Sequence, residues 1–343
     1  MELVARQVVG SSMIARFAGI VTAALATLSV AFPVFGGEAP RTGVLSLVVE
    51  NDIFYDTDRN YTSGVALVWV PTDGSVPGWA SRIADWVPWF PEEGRIRPGY
   101  ALGQSMYTPH DITLADPPLD DRPYAGWLYA TIGLGVETGR KLDQVALTLG
   151  VVGPASRAEQ TQKFVHEIVG SPEPQGWDTQ LENELGIMLT YQRSWRERVT
   201  TTLLGLGVDL APHFGGALGN VYTYVNGGMT LRLGRNLALD YGPPRIQPSI
   251  PGSNFFAPAR SFAWYLFVGF EGRAVARNIF LDGNTFKDSR SVDKEPLVGD
   301  LQWGVVVTWR DVRLGYTHVV RTREFETQAE HDTFGALSLS ISF

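Results

Sequence analysis

The last ten residues of the chain, FGALSLSISF, alternate strictly. Leu337, Leu339, Ile341 and Phe343 fall on one side, and Ser338, Ser340 and Ser342 on the other. A period of two with one apolar and one small polar face marks a half-buried strand. The pattern recurs upstream. In 126–137, Leu128, Ala130, Ile132, Leu134 and Val136 oppose Tyr129, Thr131, Gly133, Gly135 and Glu137. Val145, Leu147, Leu149 and Val151 repeat it in 144–151, Leu185, Ile187 and Leu189 in 184–192, and Leu301, Trp303, Val305 and Val307 in 301–309. A sandwich core would accept the same apolar face. Strands of about ten residues with aromatics near their ends, closed by a terminal phenylalanine, favour an outer-membrane barrel.

Twelve strands are expected, at 43–51, 62–70, 99–107, 126–137, 143–153, 183–195, 198–211, 220–233, 262–275, 298–309, 311–322 and 333–343. The fold class is therefore all-β, a single twelve-stranded antiparallel transmembrane barrel, and an even strand count suits it. With both termini periplasmic, the tight turns 138–142, 196–197 and 310 share one side. The longer segments 52–61, 108–125, 154–182, 212–219, 276–297 and 323–332 share the extracellular side. Two long segments, 71–98 and 234–261, break the rule. WASRIADWVPWF in the first reads as a short amphipathic helix at the membrane surface.

Before the strands, MELVARQVVGSSMIAR carries two arginines, FAGIVTAALATLSVAFPVF is apolar, and small residues follow. That is the plan of a secretory signal, expected over 1–36, with the barrel domain over 37–343. A net charge of −8 without a basic block argues against nucleic-acid binding. Cysteine is absent, so disulfides, thiolate metal sites and cysteine nucleophiles are excluded.

One outer segment does not alternate. SRAEQTQKFVHEIV at 156–169 is helical in period, with Phe164, Val165, Ile168 and Val169 as an apolar stripe. Gln162 and His166 are four apart and so share a helix face. Gly170 and Pro172 end the helix. Of the five histidines, His110, His213, His318 and His331 read as surface or hydrogen-bonded residues, whereas His166 has Gln162 beside it and suits general-base work.

A second cluster lies in ENDIFYDTDRNYTSG at 50–64. Asn51 and Asp52 end the first strand at the rim where Thr62 begins the second, and the His166 segment is on that rim too. By alternation Thr62, Gly64, Ala66 and Val68 share one face, and Ser63, Val65, Leu67 and Trp69 share the lipid face. Asp, Asn, Thr and Gly are also ordinary turn residues, so a plain solvated loop would read the same way. Asp56, Asp58 and Asn60 resemble the start of an EF-hand, but its glycine and terminal glutamate are missing. A hard-cation site using Asp52 and backbone carbonyls stays open.

Five stretches, ENDIFYDTDRNYTSGV, GQSMYTP, DDRPYAGWLY, EQTQKFVHEIVG and GWDTQLENELG, occur in this order between barrel strands. Together they resemble the bacterial outer-membrane lipid A 3′-O-deacylases, a calcium-dependent twelve-stranded barrel family. The resemblance implies removal of the 3′-acyloxyacyl group of lipid A, at a site between the barrel wall and the loop helix in the outer leaflet. It places the family's site residues on Asn51, Asp52, Tyr61, Thr62, Gly64, Gln162 and His166. His166 would then be the base, Asp52 a calcium ligand, Asn51 an oxyanion donor, Thr62 a positioning group for water or substrate, and Gln162 an orienting or substrate-contacting group. One departure concerns substrate. The segment 108–121 has no Lys or Arg to meet a lipid A phosphate or sugar. Arg122 and Lys163, with Arg157, are the substrate-binding candidates. Arg122 reads equally as an ion-pair partner of Asp120 or Asp121. A monomer is expected. Two rivals remain: a calcium-dependent outer-membrane phospholipase, for which Ser63 would be the nucleophile, and a passive pore with an open lumen.

Overall fold

The computed structural model describes residues 42–51, 60–71, 76–91, 94–197, 199–237, 240–242 and 259–343. The signal segment 1–36 lies outside them, and so do residues 52–59 with Asp52. Thirteen strands form one antiparallel sheet: β1 Gly43–Asn51, β2 Asn60–Pro71, β3 Arg95–Thr108, β4 Ala125–Thr138, β5 Lys141–Val152, β6 Glu184–Trp195, β7 Val199–Leu203, β8 Leu206–Gly219, β9 Tyr222–Arg235, β10 Ala259–Asn278, β11 Leu297–Arg310, β12 Val312–Arg321 and β13 Asp332–Ser342. Apart from β6 and β7, each strand pairs with its neighbour in sequence, and β1 pairs with β13 from Val44↔Ser342 to Asn51↔Gly335. Because β6 also pairs with β8, the ring closes on twelve strands. Short β7 carries the line of β6 onward beside the start of β8.

This corrects the expected strand at 198–211. The hairpin turns at Leu204 (φ 51°) and Gly205 (φ 79°), two positive angles in succession, as a two-residue turn matched to strand twist requires. The segment 212–219, expected as an outer loop, is the second half of β8.

The two faces of the ring decide between barrel and sandwich. Val65, Leu67, Trp69, Leu102, Ile132, Leu149, Leu189, Leu231, Leu266 and Leu301 point outward and are exposed. Ser46, Thr131, Thr148, Thr190, Thr230, Gln302, Thr317 and Ser340 point inward and are buried. An apolar exterior over a polar interior suits lipid outside, and closure leaves no strand edge there. No helix among the described residues is long and apolar enough to cross a membrane.

At the end bearing the termini, helix α1 (Gly78–Trp86) lies on the outside wall, where Ala80 packs with Leu134 and Val136. Trp86 and Trp89 stay exposed beside it, and Trp69 stacks on Tyr100 at 5.5 Å between ring centres. Amphipathic aromatics gathered at one height suit a membrane–water boundary.

The lumen is filled at both ends. Near the termini Asp240 reaches Arg232 at 2.7 Å, Arg313 at 2.6 Å and the Tyr265 hydroxyl at 3.0 Å. At the opposite rim a short helix, α2 (Ile279–Asp282), carries Phe280 into the barrel, where it stacks on Tyr107 at 4.0 Å and meets Tyr222 at 5.5 Å. Trp127, Val319 and Phe334 complete this plug. A single-channel recording in a planar bilayer is expected to show no steady open conductance. Phe280→Ala, which empties the centre of the plug, should cost about 3 kcal/mol of stability, read as a lowered unfolding temperature in detergent.

Candidate active site

The helix expected in the long outer segment is α3, Ala158–Val169, on the rim opposite the termini. Glycines let it seat against the outside of the barrel. Gly126 in β4 lies beneath its start, where an added Cβ would come within 2.2 Å of Ser156 Oγ and 2.3 Å of Ala158 Cβ. Gly153 makes the turn into this segment at φ 95°, pressed against the backbone of Glu182 and Asn183. The Gln104 side-chain amide donates to the Ser156 carbonyl at 2.7 Å, tying the helix start to β3. At the other end Gly170 adopts φ 79° and its N–H donates to the His166 carbonyl at 2.8 Å.

The burial of α3 is the reverse of an ordinary amphipathic helix. Gln162 and His166 are 2% and 3% exposed, whereas Phe164 and Ile168 are 63% and 41% exposed. The polar pair is pressed inward and part of the apolar stripe faces out. Sequence periodicity found both faces but could not say which one met the wall.

Each buried polar side chain is held by a group of fixed polarity. His166 Nδ1 lies 2.6 Å from the Pro172 carbonyl. A carbonyl only accepts, so Nδ1 carries the proton and Nε2 carries the lone pair of the neutral ring. Gln162 Oε1 accepts from the Trp177 indole N–H at 2.8 Å. Its Nε2 is buried and has no partner among the described residues. Leaving a buried amide unmatched costs about 1–3 kcal/mol, which a substrate oxygen would recover.

The wall under the helix is the outer face of β3 and β4, and β2 and β1 continue that face. Asn51 pairs with Ser63, and Ser63 with Met106. Directly opposed residues share a face, and this face is the one bearing Val65 and Leu67. Asn51 is buried, and Met106 is covered by Ala158, Trp177, Ile112 and Tyr124. Thr62 is the extra residue of a bulge between the pairs Tyr61↔Tyr107 and Ser63↔Met106. Plain alternation therefore stops at Thr62, and the expectation that it shares the face of Gly64 no longer follows. Ser63, which alternation puts on the lipid face, is on the outer wall with Asn51. The barrel wall is where the helix sits, so facing outward does not remove it from the site.

The two expected substrate cations lie elsewhere. Arg122 is 1% exposed and belongs to the luminal plug, 5.2 Å over the Tyr107 ring, with Glu324 at 3.4 Å. Its guanidinium does not reach the outer wall, and its acid partner is neither Asp120 nor Asp121. Asp121 instead accepts from the Arg122 and His110 backbone N–H groups. Lys163 is on the exposed side of α3, paired with Glu159 at 3.0 Å and Glu173 at 3.5 Å. The hydrogen bond to Glu159 raises its pKa. Of the other histidines, His213 pairs with Glu271 at 3.0 Å, and His318 lies tilted against Trp303 at 4.0 Å between ring centres.

No group of three or more His, Asp or Glu side chains converges among the described residues. Asp52, the expected metal ligand, lies in 52–59, outside the described residues. The donor set of that segment, Asp52, Asp56, Asp58 and backbone carbonyls, is all oxygen, which fits a hard cation.

The model of a protein family described as outer membrane protein LpxR matches residues 20–343. The chain belongs to that family. It is the outer-membrane lipid A deacylase family that the sequence motifs resemble, and membership locates the barrel in the outer membrane. Among solved structures, LpxR from Salmonella typhimurium superposes with a TM-score of 0.71 at 19% identity, covering 88% of this chain and all of that one. That likeness shows the fold. The β domain of the Bordetella autotransporter BrkA follows at 0.44 and 10% identity, over 89% of this chain and all of that one. No curated protein sequence matches.

Trp177 was missed as a functional residue, although GWDTQLENELG was recognised as a motif. Its signal was a lone indole donor in a polar stretch after the helix.

Two outcomes follow from this geometry. Gly126→Ala should abolish activity while the barrel remains folded, as judged by heat-modifiable gel mobility, because the added methyl lifts the start of α3. Glu324 tests the plug. Burial alone would raise its carboxyl pKa, but Arg321 and Arg122 outweigh it and hold it below the ordinary range. A lowered folded pKa gives stability that is present at neutral pH and lost as pH falls through that value. Glu324→Gln should therefore cost about 3 kcal/mol at pH 7 and progressively less in acid, read by unfolding in detergent across pH.

Proposed function

We propose that this protein is a calcium-dependent lipid A 3′-O-deacylase, working at the extracellular side of the outer membrane. The observation that carries the reading is the inverted burial of α3. A histidine and a glutamine are shut against the barrel wall while Phe164 and Ile168 face outward. Acyl chains would lie along the apolar exterior, and the ester at their head would enter between wall and helix.

His166 acts as the base. Its Nε2 takes a proton from water while Nδ1–H stays on the Pro172 carbonyl. The water oxygen adds to the acyl carbonyl carbon. As the tetrahedral intermediate collapses, the bond to the sugar oxygen breaks and His166 returns the proton to that oxygen. The products are a free 3′-hydroxyl and the acyloxyacyl acid. Gln162 Nε2 donates to the carbonyl oxygen as it gains charge, and Asn51 on the facing strand is the second donor. Thr62, at the bulge beside Asn51, positions water or substrate. Calcium held by Asp52 and its neighbours would supply further positive charge to the same oxygen. Arg157, exposed at the helix start, is the cation offered to a phosphate. The carboxylates beside Lys163 already neutralise it, and a monomer suffices for the site.

One observation favours a second reading. Ser63 shares the outer face with Asn51, so a serine nucleophile serving a phospholipase has a place on this wall.

The purified protein in detergent, given lipid A with calcium or with EDTA, should release one acyloxyacyl unit only with calcium, as read by mass spectrometry. His166→Ala should lower the rate at least about 100-fold, and Ser63→Ala should leave it near wild type. Phospholipid cleavage that needs Ser63, with lipid A intact, would establish the second reading instead.

A further inference from the structure

The motif GWDTQLENELG has no part in the chemistry above, yet its tryptophan is the most enclosed large side chain beside the site. Trp177 is 1% exposed. Its ring leans on Tyr124 at 4.9 Å, and Met106, Ile112 and Ala158 surround it. The backbone around it is pinned to the neighbouring segment. Gln175 N–H donates to the Ile112 carbonyl and Leu181 N–H to the Tyr124 carbonyl, both at 2.9 Å. Gly176 approaches so closely that a Cβ there would come within 2.5 Å of Tyr124. The indole is fixed in place, and it has a single polar atom.

That atom donates to Gln162 Oε1 at 2.8 Å. An amide can turn over, exchanging its oxygen and nitrogen at almost no cost when both ends meet water. Here one end meets a group that only donates, so the oxygen must face it. The NH2 group is then turned away from Trp177, buried and without a partner among the described residues. It lies on the helix face that His166 shares one turn later. Were the amide reversed, its oxygen would occupy that place and repel an oxyanion.

We infer that Trp177 is a positioning residue for ester hydrolysis: its indole N–H sets the Gln162 amide so that the NH2, and never the carbonyl, faces the reacting ester. The inference rests on the deacylase reading for its catalytic consequence, while the hydrogen bond itself stands apart from any substrate.

Two experiments test it. In the first, indole N–H groups are labelled with 15N and the Trp177 signal is assigned by its loss in Trp177→Phe. The Trp177 N–H should exchange slowly in the wild type and in Gln162→Glu, which keeps an acceptor. It should shift and exchange faster in Gln162→Leu. A signal unmoved by Gln162→Leu overturns the inference, whatever the protein does to lipid A. In the second, lipid A hydrolysis is followed in a double-mutant cycle. Trp177→Phe should lower kcat roughly tenfold with KM within about twofold. Gln162→Ala and Gln162→Glu should each lower kcat about 100-fold. Adding Trp177→Phe to Gln162→Ala should then change nothing further, because the residue acts through the amide. An equal further loss in the double variant would make Trp177 a structural residue and overturn the positioning role. If the wild type cleaves no lipid A, the deacylase reading fails on its own, and the exchange measurement still decides the hydrogen bond.

Discussion

A chain that crosses a lipid bilayer as strands can leave no backbone N–H or C=O without a partner, because the surroundings offer none. Everything else in this protein follows from how that constraint is met. The ring closes where β13 lies beside β1, with Val44 opposite Ser342 and Asn51 opposite Gly335. Closure makes every strand residue choose between two unlike surroundings. Outside, Leu67, Leu102, Leu189 and Leu301 need no partner. Inside, each buried charge must find one, and Arg321 with Asp300, Arg273 with Asp300 and Arg232 with Asp209 and Asp240 do so.

A lumen filled in this way cannot be the workplace. The aromatic plug of Phe280, Tyr107 and Tyr222 and the ion pair of Arg122 with Glu324 occupy the rim end of the barrel. The proposed chemistry therefore falls to the outer wall, which two local features of the strands shape. Gly126 removes the side chain that would hold α3 away, and Thr62 breaks the alternation of β2 beside Asn51. The helix then turns its polar face inward, which in water would be the wrong way round. With lipid outside, exposed Phe164 and Ile168 cost little, and Gln162 and His166 are held against the wall.

Much of this was legible in the chain. Alternation found the strands because one face had to be apolar throughout. The spacing of Gln162 and His166 placed them together because a helix returns to the same face after four residues. The failures share a cause: they depend on contacts that cross the sequence. VTTTLLGLGVDL alternates well enough to read as one strand, and its turn at Leu204–Gly205 carries no asparagine or aspartate to announce it. Arg122 stands beside Asp120 and Asp121 in the chain, but its partner is Glu324, brought in by closure of the ring. The bulge at Thr62 is visible only once β3 is laid against β2.

The same limit hid the orientation of the site, and here the physical reason is sharp. Imidazole and amide side chains are each ambiguous, since either end can donate or accept. Position alone therefore says nothing about which end faces a substrate. The ambiguity is removed by partners that are not ambiguous. The Pro172 carbonyl can only accept, so His166 carries a proton at Nδ1, and a neutral ring then offers its lone pair at Nε2. The Trp177 indole can only donate, so Gln162 must present its NH2 elsewhere than toward that ring. On the proposed reading, a base and a hydrogen-bond donor one helical turn apart are thus oriented before any ligand arrives. Ester hydrolysis needs that combination, with a proton removed from water at one point and negative charge received at another.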